Sequence, residues 1–92
     1  MLSDGQLDEI CHALADPTRR SILRRLAVSP GSTTGDLAAV VPTLTRFAVM
    51  KHLAVLRAAG AVRTMDDGRH RRHFREDAAL APLRAWLEEL AP

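Results

Sequence analysis

Most of the residues in this chain that could do chemistry are arginines, and they are concentrated in its middle. Residues 43–75 carry eight basic residues against two acids, a net charge of +6, between flanking segments with net charges of −1 and −3. A basic stretch of this kind is typical of a surface that binds a polyanion, and a solvated basic surface is the plain alternative. Twelve of the 13 basic residues are arginine, which favours paired hydrogen bonds to phosphate or guanine, although a GC-rich coding bias would give the same excess.

The sequence contains few of the residue combinations that enzymes use for catalysis. There is no cysteine beside a plausible base, no nucleophile elbow, no glycine-rich phosphate loop and no cluster of carboxylates. Cys11 is the only cysteine, which excludes an internal disulfide and fits a reducing compartment. Because Cys11 and His12 are adjacent, they face different sides of a helix, and a structural cysteine with a surface histidine is favoured over a metal site. We predict that the protein is not an enzyme and uses no cofactor.

Length and composition set the size and class of the fold. A chain of 92 residues suffices for one domain, placed over residues 1–92, and leaves no room for a separate ligand-binding domain. Only 3% of the residues are aromatic, so the core must consist of leucine, valine, isoleucine and alanine, which suit helices packed on helices. The N-terminus is too acidic and polar for a signal peptide, and no apolar run approaches the ~20 residues that cross a bilayer, which predicts a cytoplasmic protein without membrane contact.

Apolar residues at helical spacing predict two helices in the first third of the chain. The first covers residues 4–15. It is indicated by Leu7, Ile10, Cys11 and Leu14. Asp16 and Pro17 predict the start of a second helix that runs to about Val28, since aspartate caps free N–H groups and proline is tolerated at the first helical position. The residues that this helix should bury are Ile22, Leu23 and Leu26.

Residues 33–59 have the pattern of two helices joined by a short turn. Residues 33–36, Thr-Thr-Gly-Asp, have the spacing of a capping box, which predicts a short third helix that Pro42 stops. After the turn, Thr45 can cap a fourth helix that runs up to Gly60, a residue suited to the left-handed position at a helix C-terminus. Two helices in this arrangement form the helix-turn-helix pattern.

The next segment, residues 62–75, predicts a β-hairpin, which we call the wing. Its strands flank residues 66–68, Asp-Asp-Gly, which favour a type I′ turn. The hairpin is too basic for a role in core packing. His70 and His73 are interpreted as spacers on it and not as ligands or catalysts.

The C-terminal segment predicts a last helix over residues 79–90 with a strongly apolar stripe. One helix at the end of so small a domain has little of its own fold to cover it, so two copies should pair this helix with the first helix across a two-fold axis. The alternative is that the stripe covers the core of its own chain. The predicted dimer contacts are Leu7, Ile10, Leu14, Leu80, Leu83, Trp86, Leu87 and Leu90.

The outward face of the fourth helix is predicted to contact DNA. Arg46 suits guanine, and Lys51 suits guanine or a phosphate. Phe47 and Met50 suit thymine methyl groups, and packing on the preceding helix is the alternative for both. His52 lies between the two faces of the helix, where a structural role is favoured. The full set of predicted DNA contacts, in which the threonines and the wing arginines face phosphates, is Thr43, Thr45, Arg46, Phe47, Met50, Lys51, Arg69, Arg71 and Arg72.

Two stretches in the right order and distance resemble the ArsR/SmtB family of winged helix-turn-helix repressors. They are residues 14–19, Leu-Ala-Asp-Pro-Thr-Arg, and residues 51–60, Lys-His-Leu-Ala-Val-Leu-Arg-Ala-Ala-Gly. The resemblance implies a mainly α fold with five helices and a small β-hairpin wing. It also implies a homodimeric repressor that binds double-stranded operator DNA, expected to be an imperfect palindrome, and that an effector releases. No residue pattern identifies the effector.

The usual metal ligands of that family are missing from this chain. Founding members carry a pair of cysteines in the third helix, and others carry Asp and His ligands on the last helix. Here residues 35–41 contain no cysteine and residues 80–90 contain no histidine, while zinc or arsenic needs three or four ligands. Residues 46–52, Arg-Phe-Ala-Val-Met-Lys-His, are similar to a metal-free branch of the family. Two alternative functions stay open: a winged-helix module that binds protein, and a repressor that senses redox conditions through Cys11.

Overall fold

Five α-helices and a three-stranded sheet make up the computed structural model, which describes residues 4–41 and 43–91. The elements are α1 (Asp4–Leu14), α2 (Pro17–Val28), β1 (Ser32–Thr33), α3 (Thr34–Val40), α4 (Arg46–Ala58), β2 (Val62–Asp66), β3 (Arg71–Arg75), a 3₁₀ turn (Asp77–Leu80) and α5 (Ala81–Leu90). The predicted mainly α fold with a β-hairpin is confirmed. Pro42, which was expected to stop the third helix, lies outside the described residues. No helix within the described ranges is long and apolar enough to span a membrane.

Side chains that the sequence places ahead of three helices do cap them. The Asp16 carboxylate accepts a hydrogen bond from the backbone N–H of Arg19 at 3.0 Å. The Thr33 hydroxyl accepts from the N–H of Asp36 at 3.1 Å, and the Asp36 carboxylate accepts from the N–H of Thr33 at 3.0 Å, which completes the predicted capping box. Thr45 caps α4 in the same way. Each cap satisfies an N–H group that has no partner inside its helix, and such a cap contributes about 1 kcal/mol.

Two arginines of α2 hold the C-terminal end of α1. Nε of Arg19 donates to the carbonyl of Ala13 at 2.7 Å, and its Nη2 donates to the carbonyl of His12 at 3.0 Å. Nη1 of Arg20 donates to the carbonyl of Leu14 at 2.7 Å. These carbonyls lie in the last turn of α1, where the helix supplies no partner and carries partial negative charge. The consecutive arginines therefore fix the junction between α1 and α2.

The sheet is antiparallel, with β3 between β1 and β2. Strand β1 was not predicted, because two residues are too few to show an alternating pattern. The predicted type I′ turn is wrong. Four residues, 67–70, join β2 to β3, and Gly68 is the only one of them with a positive φ, whereas a type I′ turn needs two. The Asp67 carboxylate shapes the link by accepting from the backbone N–H groups of Arg69 and His70.

One apolar core joins the helices to the sheet. Its fully buried members recur at helical spacing on α1, α2 and α4, because one stripe of each helix faces the others. They include the three residues that were expected to be buried on α2. The core consists of Ile10, Ala13, Ile22, Leu23, Leu26, Leu37, Val49, Leu53, Leu56, Ala61 and Val62.

The predicted dimer contacts separate into two groups. Ile10 is only 1% exposed inside the core of its own chain, so its assignment to the interface is wrong. Four others are half-buried against the same core, since α5 packs on α1 within the chain; they are Leu7, Leu14, Leu80 and Leu83. This part of the stripe therefore covers the core of its own chain, as the alternative had it, and contact of these four residues with a second copy stays a prediction. The outer part of the stripe stays exposed and consists of Trp86, Leu87 and Leu90.

Candidate nucleic-acid interface

We call α4 the recognition helix. The exposed charged and large apolar residues of its outward face lie in its N-terminal half. Val49 and Leu53 are fully buried and fix the orientation of the helix on the core. Arg46, Phe47 and Met50 are consequently exposed on the other side. Phe47 is 65% exposed, so the alternative that it packs on the preceding helix is wrong. Two charged and two apolar side chains, counting Lys51, therefore share one accessible surface.

Lys51 and Phe47 form a pair one helical turn apart. Nζ of Lys51 lies 4.8 Å from the centre of the Phe47 ring, within the range of a cation–π interaction. Such a contact restricts both side chains without neutralising the charge. The ammonium group therefore stays available to an anion or to a base edge.

The turn before the recognition helix presents two threonines. Thr43 and Thr45 are both exposed. The Thr45 hydroxyl oxygen accepts from the backbone N–H of Ala48 at 3.0 Å. A hydroxyl that accepts in this way keeps its own proton to donate, so Thr45 can cap the helix and bind a phosphate oxygen at once.

The arginines at the tip of the wing differ in their partners. Arg72 pairs with the Asp67 carboxylate and also donates to the carbonyl of Gly31 at 3.1 Å. Nε of Arg71 lies 3.6 Å from the Asp66 carboxylate, and both groups are exposed. The side chain of Arg69 makes no hydrogen bond or ion pair within the part of the chain described. The backbone N–H of His70 and the side chain of Arg72 donate hydrogen bonds to the Asp67 carboxylate and lower its pKa to about 2. This carboxylate is therefore charged at neutral pH.

At the base of the wing, two more arginines are paired with acids. Nε of Arg63 lies 2.8 Å from a Glu76 carboxylate oxygen, and Nε of Arg75 lies 2.6 Å from that of Asp77. Both acids follow directly after the segment whose net charge was counted as +6. That count therefore exceeds the positive charge that residues 43–75 can offer to a polyanion, because two of their arginines are paired with these acids.

His73 is part of the core, and its interpretation as a spacer is wrong. It is 1% exposed. Its Nε2 lies 2.9 Å from the hydroxyl of Thr34, and its Nδ1 lies 2.8 Å from the hydroxyl of Thr64. Burial lowers its pKa to about 4, and the positive charges of Arg57 and Arg71 add to the effect. His70 is exposed. Nothing in the sequence indicates that His73 is buried, because its partner Thr34 lies 39 positions earlier on another element and only Thr64 belongs to the same hairpin.

His52 connects the recognition helix to the start of α2. Its Nδ1 lies 3.9 Å from the Asp16 carboxylate, which caps α2, and the side chain is largely buried. This position suits the structural role that was predicted for it. The pKa of Asp16 is lowered mainly because its carboxylate accepts a hydrogen bond from the backbone N–H of Arg19. The nearby His52 lowers it further.

Potential metal ligands are dispersed. In residues 4–41 and 43–91, no three histidine, cysteine, aspartate or glutamate side chains come close enough together to hold a metal ion. Cys11 is exposed on α1. Cys11 does not pack in the core of its own chain, so the prediction that it is a structural cysteine is wrong for a single chain.

A short helix, a turn, a second helix with an exposed face and a basic hairpin together define a winged helix-turn-helix protein. The model of a helix-turn-helix domain family matches residues 14–64. The HTH-type transcriptional regulator Rv2034 of Mycobacterium tuberculosis is 41% identical over 81 residues, covering 88% of this chain and 74% of the relative.

Solved structures agree with this match. The ArsR family transcriptional regulator RHA00566 is 38% identical with a TM-score of 0.86, over 97% of this chain and 90% of that one. The cadmium metal-sensor CMTR from Mycobacterium tuberculosis is 41% identical with a TM-score of 0.67, over 83% of this chain and 76% of that one. The chain belongs to the ArsR family of winged helix-turn-helix transcriptional regulators. It is a DNA-binding regulator and not an enzyme, as predicted.

Proposed function

We propose that the protein is a homodimeric repressor that binds an imperfect palindrome of operator DNA. The observation that carries this proposal is the exposed N-terminal half of the recognition helix, where Arg46, Phe47 and Met50 stand clear of the core beside the basic wing. Side chains of these types, on a helix of this kind, suit the edges of base pairs in the major groove. Repression follows the family resemblance, since a protein bound across a promoter excludes polymerase.

Each contact has a distinct role in this proposal. Arg46 reads guanine, and Phe47 and Met50 contact thymine methyl groups. Lys51 binds guanine or a phosphate. Thr43 and Thr45 donate to phosphates next to the groove, and the wing clamps the flanking backbone with Arg69, Arg71 and Arg72. Because Arg72 is already engaged by Asp67 and Gly31, it contributes less to the clamp than the other two.

The exposed end of the α5 stripe supports the dimer. Leu87 is 53% exposed, and Trp86 and Leu90 are exposed beside it. Large apolar side chains grouped in this way are typical of a surface that a partner covers. Two copies of the chain would cover the stripes of both, since a two-fold interface uses the same surface twice.

We propose that this regulator works without the metal sites of its relatives. The third-helix segment, residues 35–41, has no cysteine, and α5 has no histidine. The similarity to a cadmium sensor therefore concerns the fold and not the ligands. The exposed recognition face favours DNA binding over the alternative of a module that binds protein only, and a redox response through Cys11 stays a separate hypothesis about the effector.

The test is selection of bound sequences from random duplexes, followed by footprinting. The expected result is an imperfect palindrome with half-sites centred ~10 bp apart, because a two-fold dimer places its recognition helices about one DNA turn apart. A single asymmetric site would contradict the dimer. No enrichment over random DNA would contradict specific binding and favour the protein-interaction module.

The same experiment with Leu87→Glu examines the dimer directly. A charge buried at the interface should give monomers that protect one half-site or bind weakly, measured by sedimentation and footprinting. Val28→Glu is the matched control, because Val28 is exposed at the end of α2, on another element. A Leu87→Glu dimer with full operator affinity would show that the interface lies elsewhere.

A further inference from the structure

A small cavity lies between the recognition helix and the wing. It has a volume of about 50 Å³, room for about one water molecule. Met50 and Arg71 line it and also belong to the surface proposed to face DNA, so the cavity borders that surface. Its complete lining is Thr34, Met50, Leu53, Arg57, Arg71 and His73.

Two guanidinium groups border this cavity with little negative charge near them. Arg57 has no carboxylate within ion-pair distance in the part of the chain that the structure describes. Arg71 has only the loose, exposed contact with Asp66 at 3.6 Å. The positive charges of both arginines reach His73, since they help burial to lower its pKa to about 4. His73 is therefore neutral near pH 7, and the cavity carries two positive charges.

A chain of hydrogen bonds holds Arg57 in place. Nη1 of Arg57 lies 3.4 Å from the Thr64 hydroxyl, and because arginine only donates, the oxygen of Thr64 must accept. The proton of Thr64 is then free to point at Nδ1 of His73, 2.8 Å away. On the other side of the ring, Nε2 of His73 lies 2.9 Å from the Thr34 hydroxyl, so both ring nitrogens have a hydroxyl partner. This chain uses one of the five N–H donors of Arg57, and the Arg57 side chain makes no other hydrogen bond and no ion pair among the described residues.

We infer that Arg57 binds a backbone phosphate of the DNA at the mouth of this cavity, together with Arg71 from the wing. The cavity is too small for a whole phosphate group, so one phosphate oxygen would take the place of a water molecule there. Two guanidinium groups can share such an oxyanion, and arginine suits phosphate because its donors lie in one plane. The inference rests on the proposed DNA binding and adds a contact at the C-terminal half of the recognition helix, where none was predicted from the sequence.

The test is the salt dependence of binding to a random-sequence duplex. Each phosphate contact contributes about 0.9 to the slope of log K against log salt, so Arg57→Gln should reduce that slope by about one unit. The ratio of wild-type to variant affinity should consequently fall about threefold between about 50 mM and about 200 mM salt. Arg24→Gln, at an exposed position on α2, is the matched control and should leave the slope unchanged.

Two further variants separate a phosphate contact from a purely structural role. Arg57→Lys keeps the charge and should keep the slope. Thr64→Val removes the support of Arg57 but not its charge, so the affinity should fall with little change in slope. If Arg57→Gln kept the wild-type slope, or if Thr64→Val and Arg57→Gln had the same effect on it, Arg57 would only support the wing and the inference would be wrong.

Thermal unfolding of each variant accompanies the binding measurements. Arg57→Met, which keeps an apolar stem without the charge, replaces Arg57→Gln if that variant does not fold. Failure of both neutral variants to fold would show that the fold itself needs the charge, and would overturn the inference. If the wild-type protein showed no salt-dependent DNA binding, the proposed function itself would be wrong. If the wild type bound DNA as expected and Arg57→Gln had the same salt slope, only the contact of Arg57 with phosphate would be rejected.

Discussion

The recognition helix and the wing both carry positive charge, but their charges have different surroundings. Arg46 and Lys51 have no carboxylate at ion-pair distance among the residues described. At the tip of the wing, in contrast, Arg72 pairs with Asp67, and Arg71 lies near Asp66. A phosphate must compete with these carboxylates for two of the three wing arginines, whereas Arg69 and the cations of the helix have no acidic partner among the described residues.

This difference assigns different tasks to the two regions. Exposed ion pairs contribute only about 0–1 kcal/mol each, so the wing can exchange a carboxylate for a phosphate at small cost. The pair with Asp67 nevertheless holds Arg72 in place, and the acids of the wing reduce the net charge that attracts DNA. The recognition helix distinguishes between base sequences through its accessible side chains. The wing contributes affinity for any DNA sequence through its positive charge, which its own carboxylates partly neutralise.

The largest predicted effect is on the free energy of unfolding, and it comes from protonation of His73 on the buried face of the wing. His73 has an ordinary pKa of 6.5 when unfolded and about 4 when folded. Protonation therefore favours unfolding: stability is full above pH 6.5 and decreases as the pH falls from 6.5 to 4. The total loss should be about 3 kcal/mol. Urea unfolding of the free protein across this pH range measures it.

Two variants assign this loss to one histidine. His73→Gln should be less stable at neutral pH and should lose most of the dependence between pH 6.5 and 4, whereas His70→Gln, at an exposed position on the same hairpin, should keep it. Asp16 and Asp36, whose backbone hydrogen bonds lower their pKa below 3.8, lose their stabilisation only at still lower pH. An unchanged pH dependence in His73→Gln would show that the buried face of the wing is not its source.

The next effect distinguishes the helix from the wing on DNA. Arg46→Ala should cost about 1–3 kcal/mol on the operator and relax the preference at one base pair, because it removes a base contact. Arg69→Ala should instead weaken operator and scrambled DNA alike and reduce the salt slope by about one unit. Isotherms on both duplexes at several salt concentrations measure this. If Arg69→Ala lost specificity and Arg46→Ala lost only general affinity, the two roles would be reversed.

Local chemistry explains which parts of this fold could be predicted. The helices and their caps follow from apolar spacing and from residues such as Asp16, Thr33 and Thr45, whose partners lie three positions away. The exposed face of the recognition helix follows from the same periodicity. Ile10 was misassigned because the apolar stripe of α1 faces its own core, and spacing alone does not tell which side a partner covers.

Long-range contacts explain what could not be predicted. Strand β1 exists only because Ser32 and Thr33 pair with β3, and the pairing of Ser32 with His73 brings Thr34 to the imidazole. A basic hairpin gives no sign that one of its residues is buried, since the burial depends on elements about forty positions earlier. The turn at residues 67–70 was misjudged for a related reason: a side-chain carboxylate organises it, and Asp-Gly alone does not fix the loop length.

The smallest effect comes from a carboxylate of the wing. Asp67→Asn removes one negative charge, but its amide oxygen can still accept from the N–H groups of Arg69 and His70, so the loop should keep its shape. Arg72 would lose its ionic partner and become available to a phosphate. We therefore expect tighter binding to operator and scrambled DNA alike, by less than about 1 kcal/mol, and a salt slope steeper by up to about one unit.

Asp66→Asn is the matched control for that variant, because Asp66 is more exposed and its contact with Arg71 is looser than the pair between Asp67 and Arg72. It should change the affinity in the same direction by a smaller amount. If Asp67→Asn weakened binding while the protein stayed folded, Asp67 would serve mainly to shape the wing. The difference in charge pairing between wing and helix would then not explain their different tasks, and the accessibility of the helix side chains alone would have to do so.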